Sequence, residues 1–463
     1  MPRVAIVGGG VSGLSAAYHL GRHGIPCTLI EREQRLGGII RTERFGDCLV
    51  EAGPDSWLAE KAWMLDLIRE IGLGDQVIAS NDDRRRTYIV RRGRPVALPD
   101  SMRLLAPSRP WQAATSRLFG LRSKARIACE WFHRPETRPD RSVAEFVEDH
   151  FGREAVEYLA QPMLAGVYGS PPENLSADSV IPRFVEYERK HGSLLRGAWK
   201  GRHIRSQGAQ FLTLREGMQS LTDALRRHLP RTCEAVTDEV LAVKPGAEGW
   251  LVQARSGAWV ASDVIIATPA YEAGRLLAAA DSALAERLRN IVYTSSVVVA
   301  LVYPQQGFGH PLDGFGLLIP RAEGGTVAAC TWMNTKFTGR AGDGKVLLRA
   351  FLGGEAAQAA LEAGDESVLV QADAELRQWM GFRTAPLVSR AYRWPAAMPQ
   401  YAVGHATRVS QISEALLRYP GLHLAGNGYA GLGIPDCVRR SERIASAIAR
   451  AEESLSGPGA GPP

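Results

Sequence analysis

Cysteines are few, and the six present (Cys27, Cys48, Cys129, Cys233, Cys330 and Cys437) stand apart, with no CxxC or CxxH spacing among them. That excludes the common zinc-ribbon and dithiol redox motifs and fits reduced thiols in a cytoplasmic protein. Long apolar runs are also lacking. The longest, around Val297–Val302, falls far short of the ~20 residues a membrane-spanning helix needs, so any membrane contact is peripheral. Neither sign of charge dominates: 55 Lys and Arg against 49 Asp and Glu leave +6 over 463 residues, which gives little footing for nucleic-acid binding. Met1-Pro2-Arg3 runs straight into Val4-Ala5-Ile6-Val7, without the charged leader and apolar segment of an export signal. No internal repeat stands out, and low-complexity sequence is confined to Ser454–Pro463, read as a disordered tail.

What is present has globular proportions. With 45% apolar and 22% charged residues, chain-wide disorder is excluded, and 463 residues leave room for two or three domains. Residues 3–31 read as strand, glycine turn, helix and strand. Arg3–Gly8 is β-rich, Ser12–His23 carries Leu14, Ala17, Tyr18 and Gly21 at helical spacing, and Cys27–Glu31 is a second apolar run. A helix is expected at about 57–71. Strands are expected at Val240–Val243, Trp250–Ala254, Val264–Thr268, Val297–Tyr303, Phe315–Pro320, Val346–Leu352 and Leu422–Ala425, the last leading into a helix capped by Asp436.

Between strand and helix, Gly8-Gly9-Gly10-Val11-Ser12-Gly13 fits GxGxxG, with Glu31 following at the end of the next strand. In that context Gly8 allows the tight turn, Gly10 lets a pyrophosphate approach the helix N-terminus, Gly13 permits close packing, and Glu31 accepts from ribose hydroxyls. An acid at position 31 would repel a 2′-phosphate, which leaves FAD or NAD. The alternative is a glycine turn in an ordinary βαβ unit.

The next residues choose between those cofactors. Arg35-Leu36-Gly37-Gly38 followed by Thr42 resembles the glycine doublet that FAD-dependent oxidases of the amine-oxidase type place against the flavin diphosphate. Leu424-Ala425-Gly426-Asn427-Gly428 and Gly431-Leu432-Gly433-Ile434-Pro435-Asp436 resemble the closing motif of those enzymes, where the last helix points at the flavin. Within that superfamily the chain is similar to the protoporphyrinogen and coproporphyrinogen oxidases. The similarity is carried by Glu51-Ala52-Gly53-Pro54-Asp55-Ser56, Gln161–Tyr168, Leu175-Ser176, Gly192-Ser193-Leu194, Glu216-Gly217-Met218, Gly314–Pro320 and Gly426 through Cys437.

The resemblance implies an α/β, two-domain flavin oxidase with a Rossmann-type FAD domain, a mixed-sheet substrate domain and a helical insert. The FAD domain would be discontinuous (1–85, 211–275 and 410–453), the insert would span 86–210, the substrate domain 276–409, and the tail 454–463. Cofactor contacts are expected at Gly8, Gly10, Gly13, Glu31, Gly37, Gly38, Thr42, Gly53, Pro54, Val240, Gly426, Gly433 and Ile434. Phe315, Leu318 and Phe337 resemble the apolar residues that hold a tetrapyrrole against the flavin, although by themselves they read as sheet core. Arg86, within Arg84-Arg85-Arg86, resembles the arginine that pairs with a substrate propionate; the run leaves its register open by one residue, and a solvated charge cluster is the alternative. Gly166 and Gly169 border the substrate, but Tyr168-Gly169-Ser170-Pro171 departs from the Tyr/Phe-Ala-Gly-Asp of many relatives, which puts the substrate fit in question.

The implied reaction removes six electrons from a porphyrinogen, with oxygen as acceptor. A flavin amine oxidase or carotenoid desaturase is the alternative enzyme, and a non-catalytic binding protein such as the GDP-dissociation inhibitors the alternative of another class. No catalytic side chain is singled out, because flavin itself accepts hydride. His19 and His23 stand one helical turn apart without a third ligand, so no metal is expected. Finally, residues 101–134 interleave Arg103, Arg109, Arg117, Arg122, Lys124, Arg126 and Arg134 with Trp111, Leu118, Phe119, Leu121, Trp131 and Phe132, which suits either an anionic membrane surface or an amphipathic helix packed on the substrate domain.

Overall fold

A computed structural model describes residues 4–99, 102–103, 106–107, 115–135, 137–200 and 209–455. Arg109, Trp111 and the tail beyond 455 lie outside that set.

The apolar runs at the start of the chain become the centre of a five-stranded parallel sheet. Its strands lie in the order Cys233–Thr237, Cys27–Glu31, Val4–Val7, Asp263–Ile266 and Leu422–Leu424. Both faces are covered, as strands this uniformly apolar require. Val4 and Ile6 face a core built with Leu14, Leu20 and the C-terminal helix Ile434–Leu455. Ala5 and Val7 face a second core with Val243, Trp250 and Leu276. Strands from three separate stretches of sequence, Val4–Glu31, Cys233–Ile266 and Leu422–Leu424, thus share one sheet.

A seven-stranded mixed sheet lies beside it, in the order Val388–Pro399, Tyr293–Pro304, Lys345–Gly353, Ala329–Trp332, Gly316–Leu318, Thr87–Arg91 and Arg94–Ala97. Neighbours are antiparallel except for Gly316–Leu318 beside Thr87–Arg91. The run Val297–Val302 lies on the second strand of that order, and both of its faces are buried. Val297, Val299 and Leu301 pack on one side with Trp332 and Leu376, and Val298, Ala300 and Val302 on the other with Phe337 and Leu347.

Three expectations need correction. The Thr87–Ala97 hairpin, placed in the helical insert, is an edge of the seven-stranded sheet; its β-rich Tyr88-Ile89-Val90 buries Ile89 and Val90 completely. The helix expected from 57 begins at Ala62, because Trp57–Leu58 pairs with Phe211–Leu214 as a strand. Asp436 does not cap the last helix, which already starts at Ile434; it lies in the first turn and meets Lys61 Nζ at 3.0 Å.

The helical region follows from Leu121–Cys129 to Leu194–Lys200 around its own core of Phe146, Phe151, Leu159 and Leu195. Leu118 and Phe119 are buried in that core, whereas Leu121 and Phe132 are 85% and 79% exposed. Its helix Val143–Phe151 starts with a capping box, in which the Ser142 hydroxyl accepts from Glu145 N and the Glu145 carboxylate accepts from Ser142 N.

Candidate flavin and substrate site

The glycine turn shapes a cradle. Gly10 is the N-cap of helix Val11–Arg22, no side chain caps that helix, and a Cβ on Gly10 would meet nothing within 4 Å. On either side the backbone is closely packed: a Cβ on Gly13 would lie 1.9 Å from the Gly8 carbonyl oxygen, and one on Gly8 3.1 Å from Ala267 backbone atoms. Open space in front of an uncapped helix N-terminus, bounded by backbone, is what a pyrophosphate needs. The doublet completes it. Gly37 N donates to Gly9 O at 2.8 Å, both Gly37 and Gly38 have positive φ, and Gly38 packs over Gly10.

The Glu31 side chain is held in place by backbone. Its carboxylate accepts from Gly9 N at 2.5 Å and from Glu33 N at 3.0 Å. Beside it opens a cavity of about 510 Å³ lined by Arg32, Glu33, Asp238, Glu239 and Arg255. Val240 follows directly, buried at the start of strand Val240–Gly246, where its carbonyl accepts from Arg275. The residues present thus fit an FAD dinucleotide: a dipole and bare backbone for the phosphates, and a fixed carboxylate beside a cavity for the nucleoside.

Farther along, Thr42 Oγ1 donates to Glu51 at 2.8 Å and accepts from Gln219 N at 3.0 Å, which ties the doublet to the Glu51–Ser56 segment. In that segment a Cβ on Gly53 would strike Ile39 O at 2.1 Å, and Pro54 follows. Gly426 takes φ of +121°, and Gly433 leads into Ile434, the buried first residue of the last helix.

The Glu51–Ser56 segment also gathers side chains from far along the chain. Arg349 Nη1 lies 3.1 Å from Asp55 Oδ2, Arg349 Nη2 donates to Gly53 O at 2.5 Å, and Lys336 Nζ lies 2.9 and 3.0 Å from the two Asp55 oxygens. Burial alone would raise the Asp55 carboxyl, but Lys336 and Arg349 hold it well below the usual range. Glu51, completely buried, accepts from Thr42 and from Met218 N at 2.8 Å, with Arg340 Nη1 3.7 Å away; burial pushes its carboxyl up. Trp394 Nε1 donates to Ala52 O at 2.8 Å.

None of Lys336, Arg340, Arg349 and Trp394 was anticipated from sequence. One signal was there for Arg349: it is the only charge in Val346-Leu347-Leu348-Arg349-Ala350-Phe351-Leu352, and a charge in a buried strand calls for a partner.

The expected substrate residues divide. Phe315 and Arg86 are brought together, since Phe315 N donates to Arg86 O at 2.7 Å. Leu318 ends the short strand Gly316–Leu318 that follows Phe315 and packs on the helical core, and a Cβ on Gly166, in helix Gln161–Tyr168, would lie 3.8 Å from Ala329 Cβ. Gly169 ends that helix in a left-handed conformation, close to Thr294. The Arg86 guanidinium, however, is engaged by Asp313 at 2.7 Å, which also accepts from Tyr88. Phe337 is completely buried with Cys48, Val50 and Leu347, so it builds core rather than the wall of an open slot. Among the described residues no His, Cys and carboxylate cluster suits a metal.

A doubly covered parallel sheet with a glycine turn at its first helix, joined to a mixed sheet, defines a dinucleotide-binding oxidoreductase fold. A sequence profile of the family described as flavin containing amine oxidoreductase matches residues 11–449, and the chain belongs to that family. It is an FAD-dependent oxidoreductase. The chain is 30% identical to the coproporphyrinogen III oxidase of Bacillus subtilis (strain 168), covering 96% of this chain and 97% of that protein. It is 26% identical to the mitochondrial protoporphyrinogen oxidase of Nicotiana tabacum, over 98% and 96% of the two chains. A crystal structure from Exiguobacterium sp. 255-15, provisionally assigned as a protoporphyrinogen oxidase, superposes with a TM-score of 0.87 at 30% identity, covering 97% of this chain and 99% of the other.

Proposed function

We propose that the protein oxidises a porphyrinogen to the porphyrin, and that coproporphyrinogen III is its substrate. The observation that carries this reading is the similarity, over nearly the whole chain, to coproporphyrinogen III oxidases. The geometry supports it in that Phe315 N donates to Arg86 O, which sets the Phe315 segment beside a residue whose guanidinium is half exposed, although the Phe315 ring is itself buried. A tetrapyrrole offers a broad apolar face and only its carboxylates as polar handles, so an apolar surface rimmed by a cation suits it.

Bound flavin supplies the two-electron acceptor. Six electrons and six protons leave the substrate in three rounds, and three molecules of oxygen, each reduced to peroxide, balance them. The polypeptide's part is to orient the macrocycle, exclude water and anchor the propionates. The test is a comparison of the oxidation rates of coproporphyrinogen III and protoporphyrinogen IX by the purified holoprotein. Faster turnover of coproporphyrinogen supports the reading; faster turnover of protoporphyrinogen replaces the substrate, and no turnover of either removes the proposal.

The protein is further proposed to work in the cytoplasm, with a peripheral contact to an anionic membrane. Exposed Leu121 and Phe132, with Arg122 and Lys124 nearby, support that contact, while the buried Leu118 and Phe119 take no part in it. Among the described residues no helix is long and apolar enough to cross a membrane. Flotation with anionic vesicles at low salt tests the contact, and protein that stays at the bottom of the gradient overturns it.

A further inference from the structure

We propose that Arg349 is a positioning residue for the flavin: its guanidinium locks the Gly53–Asp55 turn onto the seven-stranded sheet and keeps net positive charge beside the cofactor, so that it governs both FAD affinity and flavin reduction potential. The inference rests on the reading that Gly53 and Pro54 lie against the flavin.

Arg349 sits in the middle of strand Lys345–Gly353 and is 1% exposed. On that strand Val346, Leu348, Ala350 and Leu352 pack into the outer core, which leaves Leu347, Arg349 and Phe351 on the opposite face. From there its two terminal nitrogens reach different groups of the same turn, the Gly53 carbonyl and the Asp55 carboxylate, and its guanidinium lies over the Phe351 ring at 5.0 Å. The arginine fork therefore fixes both the position and the tilt of the turn, which a single ammonium cannot do.

The charge balance around the turn is uneven. Arg349, Arg340 and Lys336 face Asp55 and Glu51, three cations to two carboxylates. Burial favours the neutral form of Glu51, which increases the imbalance. Arg340 Nε and Nη1 and Arg349 Nε have no hydrogen-bond partner although fully buried, and Arg340 Nη1 meets Glu51 only at 3.7 Å, so these N–H groups are incompletely satisfied by the protein. Positive potential in a dry site favours the cofactor's reduced form, which carries the additional negative charge.

The test uses apoprotein titrated with FAD, and holoprotein equilibrated with reference dyes. Neither readout involves a porphyrinogen, so its failure is separate from failure of the proposed substrate. Arg349→Met is expected to weaken FAD binding about tenfold or more and to move the flavin potential negative, with the melting temperature of the apoprotein as the control for folding. Arg349→Lys restores the charge, so the potential returns toward that of the unaltered protein while FAD affinity recovers only in part. Asp55→Asn, which removes a negative charge, moves the potential positive and keeps the question open to test if Arg349→Met does not fold. A folded Arg349→Met protein with unchanged FAD affinity and potential overturns the proposal. So does an Asp55→Asn protein whose potential does not move, or an Arg349→Lys protein whose potential falls as far as that of Arg349→Met.

Discussion

The two sheets approach a ligand by opposite means. Around Val4–Val7 the site is made of backbone: a glycine turn, a helix N-terminus and a glycine doublet, with Glu31 as the main side chain, itself held by two backbone N–H groups. Around Lys345–Gly353 it is made of side chains that reach across long stretches of sequence, as when Arg349 and Lys336 meet at Asp55. A backbone site has few sequences that can build it, because the constraint is steric and local. A side-chain site has many, because any strand that brings a cation to the right place will serve.

The largest effect should come from breaking the backbone site. A Cβ on Gly13 would stand 1.9 Å from Gly8 O, and no rotamer relieves a clash between a Cβ and backbone. Gly13→Val is therefore expected to lose FAD by more than about a hundredfold in affinity, if it accumulates as folded protein at all. The flavin-to-protein absorbance ratio after purification checks this, and a yellow Gly13→Val protein of normal flavin content would mean the turn does not constrain the cofactor. Phe337→Leu, in the core against the other sheet, should by contrast lose stability and keep its flavin.

The side-chain site should respond more gently. Arg86 is paired with Asp313 on a surface where both are nearly half exposed, so the pair adds little to stability and a propionate must compete for the guanidinium. Arg86→Ala is expected to lower kcat/KM for the porphyrinogen about tenfold at unchanged flavin content. Asp313→Asn should have the opposite sign, lowering KM a few-fold by weakening the competition of Asp313 for the cation. If steady-state kinetics show no change for Arg86→Ala, the neighbouring arginines of the Arg84–Arg86 run are the ones to substitute next.

That contrast also explains what was legible in the sequence. The strand–turn–helix of residues 4–31 was readable because its signals, period and glycine spacing, are local, and the strands at Val240, Val264, Val297 and Val346 were readable from their apolar runs. The Thr87–Ala97 hairpin was misplaced because strand character does not say which sheet a strand joins; that was decided by its parallel pairing with Gly316–Leu318, more than two hundred residues away. Phe337 illustrates the same limit. Its apolar character was certain, but whether it faced a slot or a core depended on Cys48, Val50 and Val298 arriving from elsewhere. The cationic cluster on Asp55 had no spacing to betray it, only the oddity of one arginine in a buried strand.

The smallest effect separates the two regions by pH. In the helical region, His150 is fully buried with Nδ1 2.9 Å from Glu130 and Nε2 3.2 Å from Glu188, while Arg141 pairs with Glu188 and the His133 ring lies 4.5 Å away. Burial alone would lower its pKa, but hydrogen bonds to the two carboxylates raise it above the ordinary 6.5. Its stabilisation is therefore complete below about pH 6.5 and is lost as pH rises through the folded value. Glu188 acts at the other end: burial opposes ionisation, yet His150 and Arg141 hold its carboxyl at about 2, so its contribution is present above about 4.5 and fades as pH falls toward 2. In the dinucleotide region the sign for histidine reverses. Burial lowers the pKa of His19, which is stabilising while neutral and loses that contribution as pH falls below about 6.5. Hydrogen exchange read by peptide, corrected for intrinsic rates, should show residues 143–200 better protected at pH 5.5 than at pH 8, and residues 11–22 the reverse. His150→Gln should abolish the first trend and spare the second. Glu130 accepts from Leu194 N, Leu195 N and the Ser193 hydroxyl at the start of helix Leu194–Lys200, so that helix should be the first to lose protection as pH rises. Uniform protection across both regions at the two pH values would mean that neither histidine controls local stability.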